Sequence, residues 1–211
     1  FTGSTQVGKL IQKSLAGREV GLTLELGGKA ANIVYEDAAI DQAVEGVVNG
    51  IFFNQGHVCC AGSRLLIQES VHDEFISKLE NRMQSLRVGN PLDKNTDIGA
   101  INSKEQLNKI TDLVNEGVSD GGNIFQTECE LPGNGFWFKP TLFTNVQPSY
   151  SIAREEIFGP VLTTLTFRTP DEAVEIANNT EYGLSAGVWT EKGSKLLWTA
   201  DRLEAGGVWA N

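Results

Sequence analysis

Cys59 and Cys60 stand side by side in Phe52-Phe53-Asn54-Gln55-Gly56-His57-Val58-Cys59-Cys60-Ala61-Gly62-Ser63-Arg64, between an apolar run and a glycine-containing turn. A thiol is the best side-chain nucleophile near neutral pH, and it forms covalent intermediates with carbonyl carbons. The pair also fits two small core hydrophobes, the usual fate of a free cysteine. A candidate base lies upstream. Glu25 ends the apolar run Val20-Gly21-Leu22-Thr23-Leu24 and precedes Leu26, Gly27, Gly28 and Lys29. With Val20 to Leu24 as a short buried strand, Glu25 stands at its end. Burial there can lift a carboxylate towards neutrality, and the two glycines let backbone come close to a ligand. A solvated strand-end glutamate before a turn fits the same residues.

The elements that must position these groups follow from periodicity. Gly3-Ser4-Thr5 before Val7, Leu10, Ile11 and Leu15 reads as a capped helix with an apolar stripe. Strands are expected at 20–24, 31–35, 64–67, 161–165, 184–189 and 207–210. Helices are expected at 40–53, 71–86, 103–118, from Pro170, and at 194–203. Gly89-Asn90-Pro91, Gly121-Gly122 and Pro132-Gly133-Asn134-Gly135 break the pattern. Strand and helix alternate with connections long enough for crossovers, which predicts an α/β fold built on a parallel sheet.

Composition narrows the function. The 211 residues are 40% hydrophobic and 21% charged, ordinary for a soluble globular chain. A net charge of −10 argues against nucleic acid or an anionic membrane surface as partner. Three cysteines, two of them adjacent, do not make a disulfide framework and fit a reducing compartment, so a cytoplasmic setting is expected. No metal-ligand cluster is evident. The chain has no initiator methionine, starts inside a motif and stops on a strand, which reads as an internal piece of a larger protein.

Leu24-Glu25-Leu26-Gly27-Gly28-Lys29 followed by Phe53-Asn54-Gln55-Gly56-His57-Val58-Cys59 resembles the aldehyde dehydrogenase superfamily. The likeness continues in order through Phe1-Thr2-Gly3-Ser4-Thr5-Gln6-Val7-Gly8, Val88-Gly89-Asn90-Pro91-Leu92-Asp93 and Pro140-Thr141-Leu142-Phe143. It closes with Glu155-Glu156-Ile157-Phe158-Gly159-Pro160-Val161 and Asn179-Thr180-Glu181-Tyr182-Gly183-Leu184. Val44–Val48, Leu66–Val71 and Val188-Trp189-Thr190 are similar to the subgroup numbered sixteen. Its members carry two dehydrogenase-like domains, some without the cysteine.

The resemblance implies an aldehyde dehydrogenase fold, with residues 1–27 the end of a Rossmann-like NAD(P)-binding domain and 28–211 a catalytic domain. It implies oxidation of a small aldehyde with NAD or NADP, in a parent enzyme that forms homo-oligomers. Cys59, 34 positions after Glu25 as in the family, becomes the nucleophile in preference to Cys60. Its backbone N–H is a candidate oxyanion donor. Glu25 becomes the base that activates water against the thioester. Glu156 is expected to accept hydrogen bonds from the nicotinamide-side ribose, with Phe158 packed nearby.

Gly3 and Ser4 would face the cofactor pyrophosphate with a helix N-terminus, and Leu26 would contact the cofactor. Gln106 and Lys109, three apart on one helix face, correspond to positions near the adenine ribose, and equally fit a solvated polar face. Phe53 and Val58 would line the substrate tunnel, pointing to an uncharged aldehyde. His57 stands where the family more often has glutamine, and a packing or tuning role is expected for it. Two other readings remain open: a catalytically silent scaffold of the same fold, and a thiol hydrolase pairing Cys59 with His57. The 211 residues alone are expected to have no appreciable activity, since parts of the cofactor site would lie outside them.

Overall fold

The computed structural model describes residues 1–211. Seven strands make one sheet: β1 (Ala31–Val34), β2 (Arg64–Gln68), β3 (Asn123–Gln126), β4 (Thr141–Thr144), β5 (Val161–Phe167), β6 (Ser185–Trp189) and β7 (Gly207–Ala210). Their order across the sheet is β3-β4-β5-β2-β1-β6-β7, and every pair is parallel except β3 with β4. The helices are α1 (Thr5–Leu15), α2 (Ile40–Phe52), α3 (His72–Met83), α4 (Lys104–Ser119), α5 (Ser151–Arg154), α6 (Pro170–Asn178) and α7 (Gly193–Arg202). No helix is long and apolar enough to cross a membrane.

The central strands β1 and β2 are buried along nearly their whole length because helices cover both faces. Alternate residues of a strand point to opposite sides. Val34, Leu65 and Ile67 enter a core with Val44, Val47, Phe75 and Leu79 from α2 and α3. Ile33, Tyr35 and Leu66 enter the opposite core with Ala173 and Ala177 from α6. A third cluster joins Ile110, Leu113 and Val114 of α4 to Phe143, Ile152 and Ile157. Local chemistry starts the helices: the Ser103 hydroxyl accepts from Gln106 N at 3.1 Å, and the Thr169 hydroxyl from Glu172 N at 3.3 Å, ahead of Pro170.

The element pattern agrees with the sequence to within a few residues, with three differences. Val20 to Leu24 form no strand, and Val20 and Leu22 are exposed. Only Thr23 and the following Glu25 bond to the start of the chain. The Phe1 amine donates to Thr23 O at 2.8 Å, Glu25 N to Phe1 O at 2.9 Å and Gly3 N to Glu25 O at 3.0 Å. The strand β3 is a four-residue exposed edge, and α5 is a single turn, both too short to carry a period. The helix expected at 71–86 keeps only His72–Met83, preceded by a 3-10 turn, although Leu86 is still buried.

A polar cluster locks α7 to the sheet. Lys195 Nζ lies 2.7 Å from Asp37 Oδ1 and 4.6 Å from the centre of the Tyr35 ring, while Thr190 Oγ1 donates to the same carboxylate and Tyr35 Oη pairs with Thr199 Oγ1 at 2.8 Å. Burial pushes the Asp37 carboxyl up, but the bonds from Lys195 and Thr190 outweigh it and hold it below its usual value of 3.8. Its stabilising effect is therefore complete above that value and is lost as pH falls through the lower folded one. Asp37→Ala is expected to cost ~1–3 kcal/mol at pH 7, because it orphans a mostly buried ammonium. Thermal unfolding of both proteins checks this, and the gap between them should close only below pH 3.8.

Candidate active site

Three segments end just before three neighbouring parallel strands. Gly27-Gly28 precedes β1, the cysteine loop precedes β2 and Glu155–Pro160 precedes β5. The order β5-β2-β1 and the register Ala31 with Arg64 and Arg64 with Thr163 set the amino ends of these strands side by side. The three segments therefore meet at one edge of the sheet.

They meet closely. A Cβ on Gly28 would strike the Cys59 carbonyl oxygen, and one on Gly27 would come within 2.5 Å of Glu156 Oε2. The Gly28 N–H donates to Glu156 Oε1 at 3.0 Å. Only glycine leaves room for this contact. The cysteine loop reaches the site through a sharp reversal. Asn54 and Gln55 have φ of 49° and 48°, Gly56 follows at 75°, and a Cβ on Gly56 would strike the Gly159 carbonyl. Asn54 pays for part of this strain with its side chain, donating from Nδ2 to His57 O at 3.2 Å.

Phe158 is also left-handed, with φ of 55°. Its conformation is over-determined by its neighbours. Gln106 Nε2 donates to Ile157 O at 2.8 Å and to Phe158 O at 3.0 Å, and Lys109 Nζ donates to Glu156 O at 2.7 Å. Gln106 and Lys109 thus grip the loop that carries Glu156, rather than forming a solvated face. The His57 ring stacks on the Phe158 ring at 5.1 Å between centres and 9° between planes.

The thiols differ in placement. Cys60 lines an apolar cavity of about 360 Å³ together with Phe53, Val58, Trp189 and Trp209, where Trp189 Nε1 donates to Asn32 Oδ1 at 2.9 Å. Burial pushes the Cys60 thiol up, and the neighbouring Cys59 adds to this. Cys59 is half-buried on the loop over Gly28, and its backbone N–H donates to no protein acceptor. Burial lowers the His57 imidazole below 6.5, and its Nε2 accepts from Asn102 N at 3.2 Å. His57 makes no hydrogen bond to Cys59, so the arrangement lacks the thiol–imidazole pair that a hydrolase would need.

Gly3 and Ser4 open α1. The Ser4 hydroxyl accepts from Val7 N at 3.3 Å, and the first turn carries no acidic side chain, so the amides of Thr5 and Gln6 can face an anion. Leu26 packs on Gly8 of the same helix. Glu156 Oε2 has no protein donor and is free to accept from a diol. These features suit a dinucleotide: a helix start for phosphate, a free carboxylate oxygen for a ribose and an aromatic ring beside it. Glu25 is exposed, so the burial expected for it from a strand end is absent.

The aldehyde dehydrogenase family matches residues 1–211. The chain belongs to this family. It is 46% identical over 216 residues to human retinal dehydrogenase 2, covering 100% of the chain and 41% of that protein. An NAD-dependent aldehyde dehydrogenase from Sinorhizobium meliloti superposes with a TM-score of 0.95 at 42% identity, covering 99% of the chain and 42% of the other. Betaine aldehyde dehydrogenase from Staphylococcus aureus, solved in complex with NAD+, gives 0.93 at 38% identity, with 99% and 42% covered. The chain spans about two-fifths of the length of the relatives it matches.

Two buried cations near these loops have no carboxylate bonded to them. Arg64 donates to Lys29 O, Ile176 O and Ala177 O at 2.8, 3.0 and 2.7 Å, tying the start of β2 and the segment before β1 to the last carbonyls of α6, and burial lowers it to about 10. Lys29 is 1% exposed and its Nζ has no partner. Burial, then Arg64, lowers it to about 7, against an opposing pull from Glu156. In the sequence each is a lone charge at the head of an apolar run, Lys29 before Ala30-Ala31 and Arg64 before Leu65-Leu66-Ile67. The lowered Lys29 value means that the unfolded chain binds more protons between pH 7 and 10.5, so stability rises with pH across that window. Lys29→Met is expected to raise stability by ~1–4 kcal/mol at pH 7 and to flatten that rise. Chemical denaturation at pH 7 and 9.5 checks both parts.

Proposed function

We propose that this chain performs the thiol chemistry of NAD(P)-dependent aldehyde oxidation. The observation that carries the reading is the meeting of the Cys59 backbone and the Glu156 carboxylate on Gly27-Gly28, with Phe158 on the loop of Glu156 and an apolar cavity at the neighbouring Cys60. Residues 28–211 act as the catalytic domain. Residues 1–27, which add no strand to the seven-stranded sheet, act as the end of a nucleotide-binding domain.

The Cys59 thiolate attacks the aldehyde carbon, giving a thiohemiacetal whose oxyanion accepts from the Cys59 N–H. Cys60 is the poorer nucleophile, because its raised pKa leaves less thiolate. The cofactor, when bound, takes up the hydride that leaves the reacting carbon. Glu156 accepts hydrogen bonds from its nicotinamide-side ribose through Oε2, and Phe158 packs against the same end. Gly3, Ser4 and the amides that follow receive its pyrophosphate, flanked by Leu26. Gln106 and Lys109 act on it through the loop they hold. Glu25, open to solvent, then takes a proton from water as that water attacks the Cys59 thioester, releasing the acid and the thiolate.

The cavity walls Phe53, Val58, Trp189 and Trp209 carry no charge, and Asn32, Asn49 and Asn211 are its polar side chains. This suits an uncharged aliphatic or aromatic aldehyde.

Two outcomes test this reading in a polypeptide of the relatives' full length that carries this chain. Cys59→Ala is expected to abolish aldehyde-dependent NADH formation while Cys60→Ala retains most of it. Iodoacetamide should label Cys59 first by peptide mass spectrometry, and an active Cys59→Ala enzyme would refute the assignment. Glu25→Gln is expected to keep the pre-steady-state NADH burst while steady turnover falls ~10²–10⁴-fold, the usual cost of losing a general base. Loss of burst and turnover together would give Glu25 a different role.

A further inference from the structure

His57 touches three separate elements. It belongs to the cysteine loop, two residues before Cys59. Its ring lies flat against Phe158, at 5.1 Å and 9°, and its Nε2 accepts from the backbone N–H of Asn102, at 3.2 Å, just ahead of α4. The helix α4 in turn supplies Gln106 and Lys109, which hold the loop of Glu156 and Phe158. His57 is therefore the side chain that joins the nucleophile loop to the loop offering its carboxylate and ring to the cofactor.

We propose that neutral His57 is a positioning residue that clamps the Cys59 loop to the Phe158 loop, so that nicotinamide-end binding weakens when the imidazole is protonated. This rests on the reading of the site given under Proposed function. The chemistry is direct. An N–H donor must meet an unprotonated ring nitrogen, so accepting from Asn102 fixes Nε2 as the bare nitrogen. Protonating Nε2 would put two donors face to face. The neutral ring already carries its one proton on the buried Nδ1, so a second proton adds a charge to a half-buried ring to which no carboxylate is bonded.

The ring is held neutral by its surroundings. Burial is the larger influence and lowers its affinity for a proton, and the Phe158 backbone beside it only partly opposes this. The charged groups on neighbouring elements are Glu155 and Glu156 on the Phe158 loop, and Lys104, Glu105 and Lys109 on α4, with the thiols Cys59 and Cys60 on its own loop. None of them is hydrogen-bonded to the ring. Glu156 is engaged by Gly28 N, and Lys109 by Glu156 O. Phe158 also sits at a positive φ, a conformation that persists only under constraint. Loosening one of its supports would let the ring leave the cofactor face.

The test uses the full-length enzyme carrying this chain, as wild type, His57→Gln and His57→Phe. NAD affinity is measured by calorimetry from pH 5.5 to 8, alongside KM for NAD, kcat and thermal midpoints. Wild type is expected to lose NAD affinity below pH 6.5, approaching tenfold per pH unit once the imidazole titrates. His57→Gln offers Asn102 a non-titrating acceptor but gives up the ring stack on Phe158, so it should bind NAD ~2–10-fold more weakly than wild type at pH 8 with a flat acid limb. His57→Phe keeps a stacking ring but orphans the Asn102 N–H, so it should bind NAD ~2–10-fold more weakly at every pH, the worth of one lost hydrogen bond.

An acid limb in His57→Gln equal to that of wild type overturns the proposal, as does a pH-dependent His57→Phe. Variants whose thermal midpoints fall while NAD affinity is unchanged would make His57 a packing residue only, which also overturns it. Absent aldehyde oxidation with NAD binding intact would remove the functional reading, and the calorimetric comparison would still decide His57. No NAD binding at any pH overturns both.

Discussion

The site depends on a pair of residues without side chains. Gly27 and Gly28 let the Cys59 carbonyl and the Glu156 carboxylate come into contact with the same two peptide units, and any Cβ there would collide with one or the other. With that close approach go the bond from Gly28 N to Glu156 and the small volume left between Gly28, Val58 and the Glu156–Gly159 segment. The strained residues around it, Asn54, Gln55 and Phe158, are tolerated because several hydrogen bonds and one ring stack act on each loop at once.

Sheet polarity explains why these segments meet. In open α/β sheets ligands usually lie beyond the carboxyl ends of the strands. Here the thiol loop, the di-glycine turn and the carboxylate loop all precede their strands, so the site lies at the amino ends of β1, β2 and β5. Parallel pairing of those three strands is sufficient for this, since it places every preceding loop on the same edge. The apolar cavity then forms where α2, the cysteine loop and the β6–β7 edge leave a gap between Phe53, Trp189 and Trp209.

Burial sorts the titratable groups of the region by one rule: the charged form loses. It pushes Cys60 up and His57, Arg64 and Lys29 down. Arg64 remains charged because backbone carbonyls satisfy its guanidinium, while Lys29 has no such partner. Glu25 is exposed and Cys59 and Glu156 are half-buried, and these are the groups to which the proposed function gives the reaction and the cofactor. Sites with charge-bearing work at the rim and neutralised groups behind it keep the reacting charges solvated until a ligand covers them.

Much of this was determined by sequence alone. Hydrophobic periodicity, caps at Ser4, Ser103 and Thr169 and the spacing of apolar runs specify the helices and the parallel strands, because those signals are local. The glycine pair, the adjacent thiols and the Glu155–Pro160 motif mark where chemistry belongs. Tertiary structure decided the rest, for reasons that no local pattern carries. Val20 to Leu24 have a strand's composition, but they join no sheet, Thr23 O instead accepts from the chain's first residue, and Val20 is exposed. The amphipathic spacing of Gln106 and Lys109 is neutral about direction, and only packing aims both at the Glu156 loop. His57 and Asn102 are 45 residues apart, and Lys29 and Arg64 are 35 apart, so their coupling exists only after the sheet has brought their segments together. Long-range contacts of this kind depend on register, which is a property of paired strands and not of any one of them.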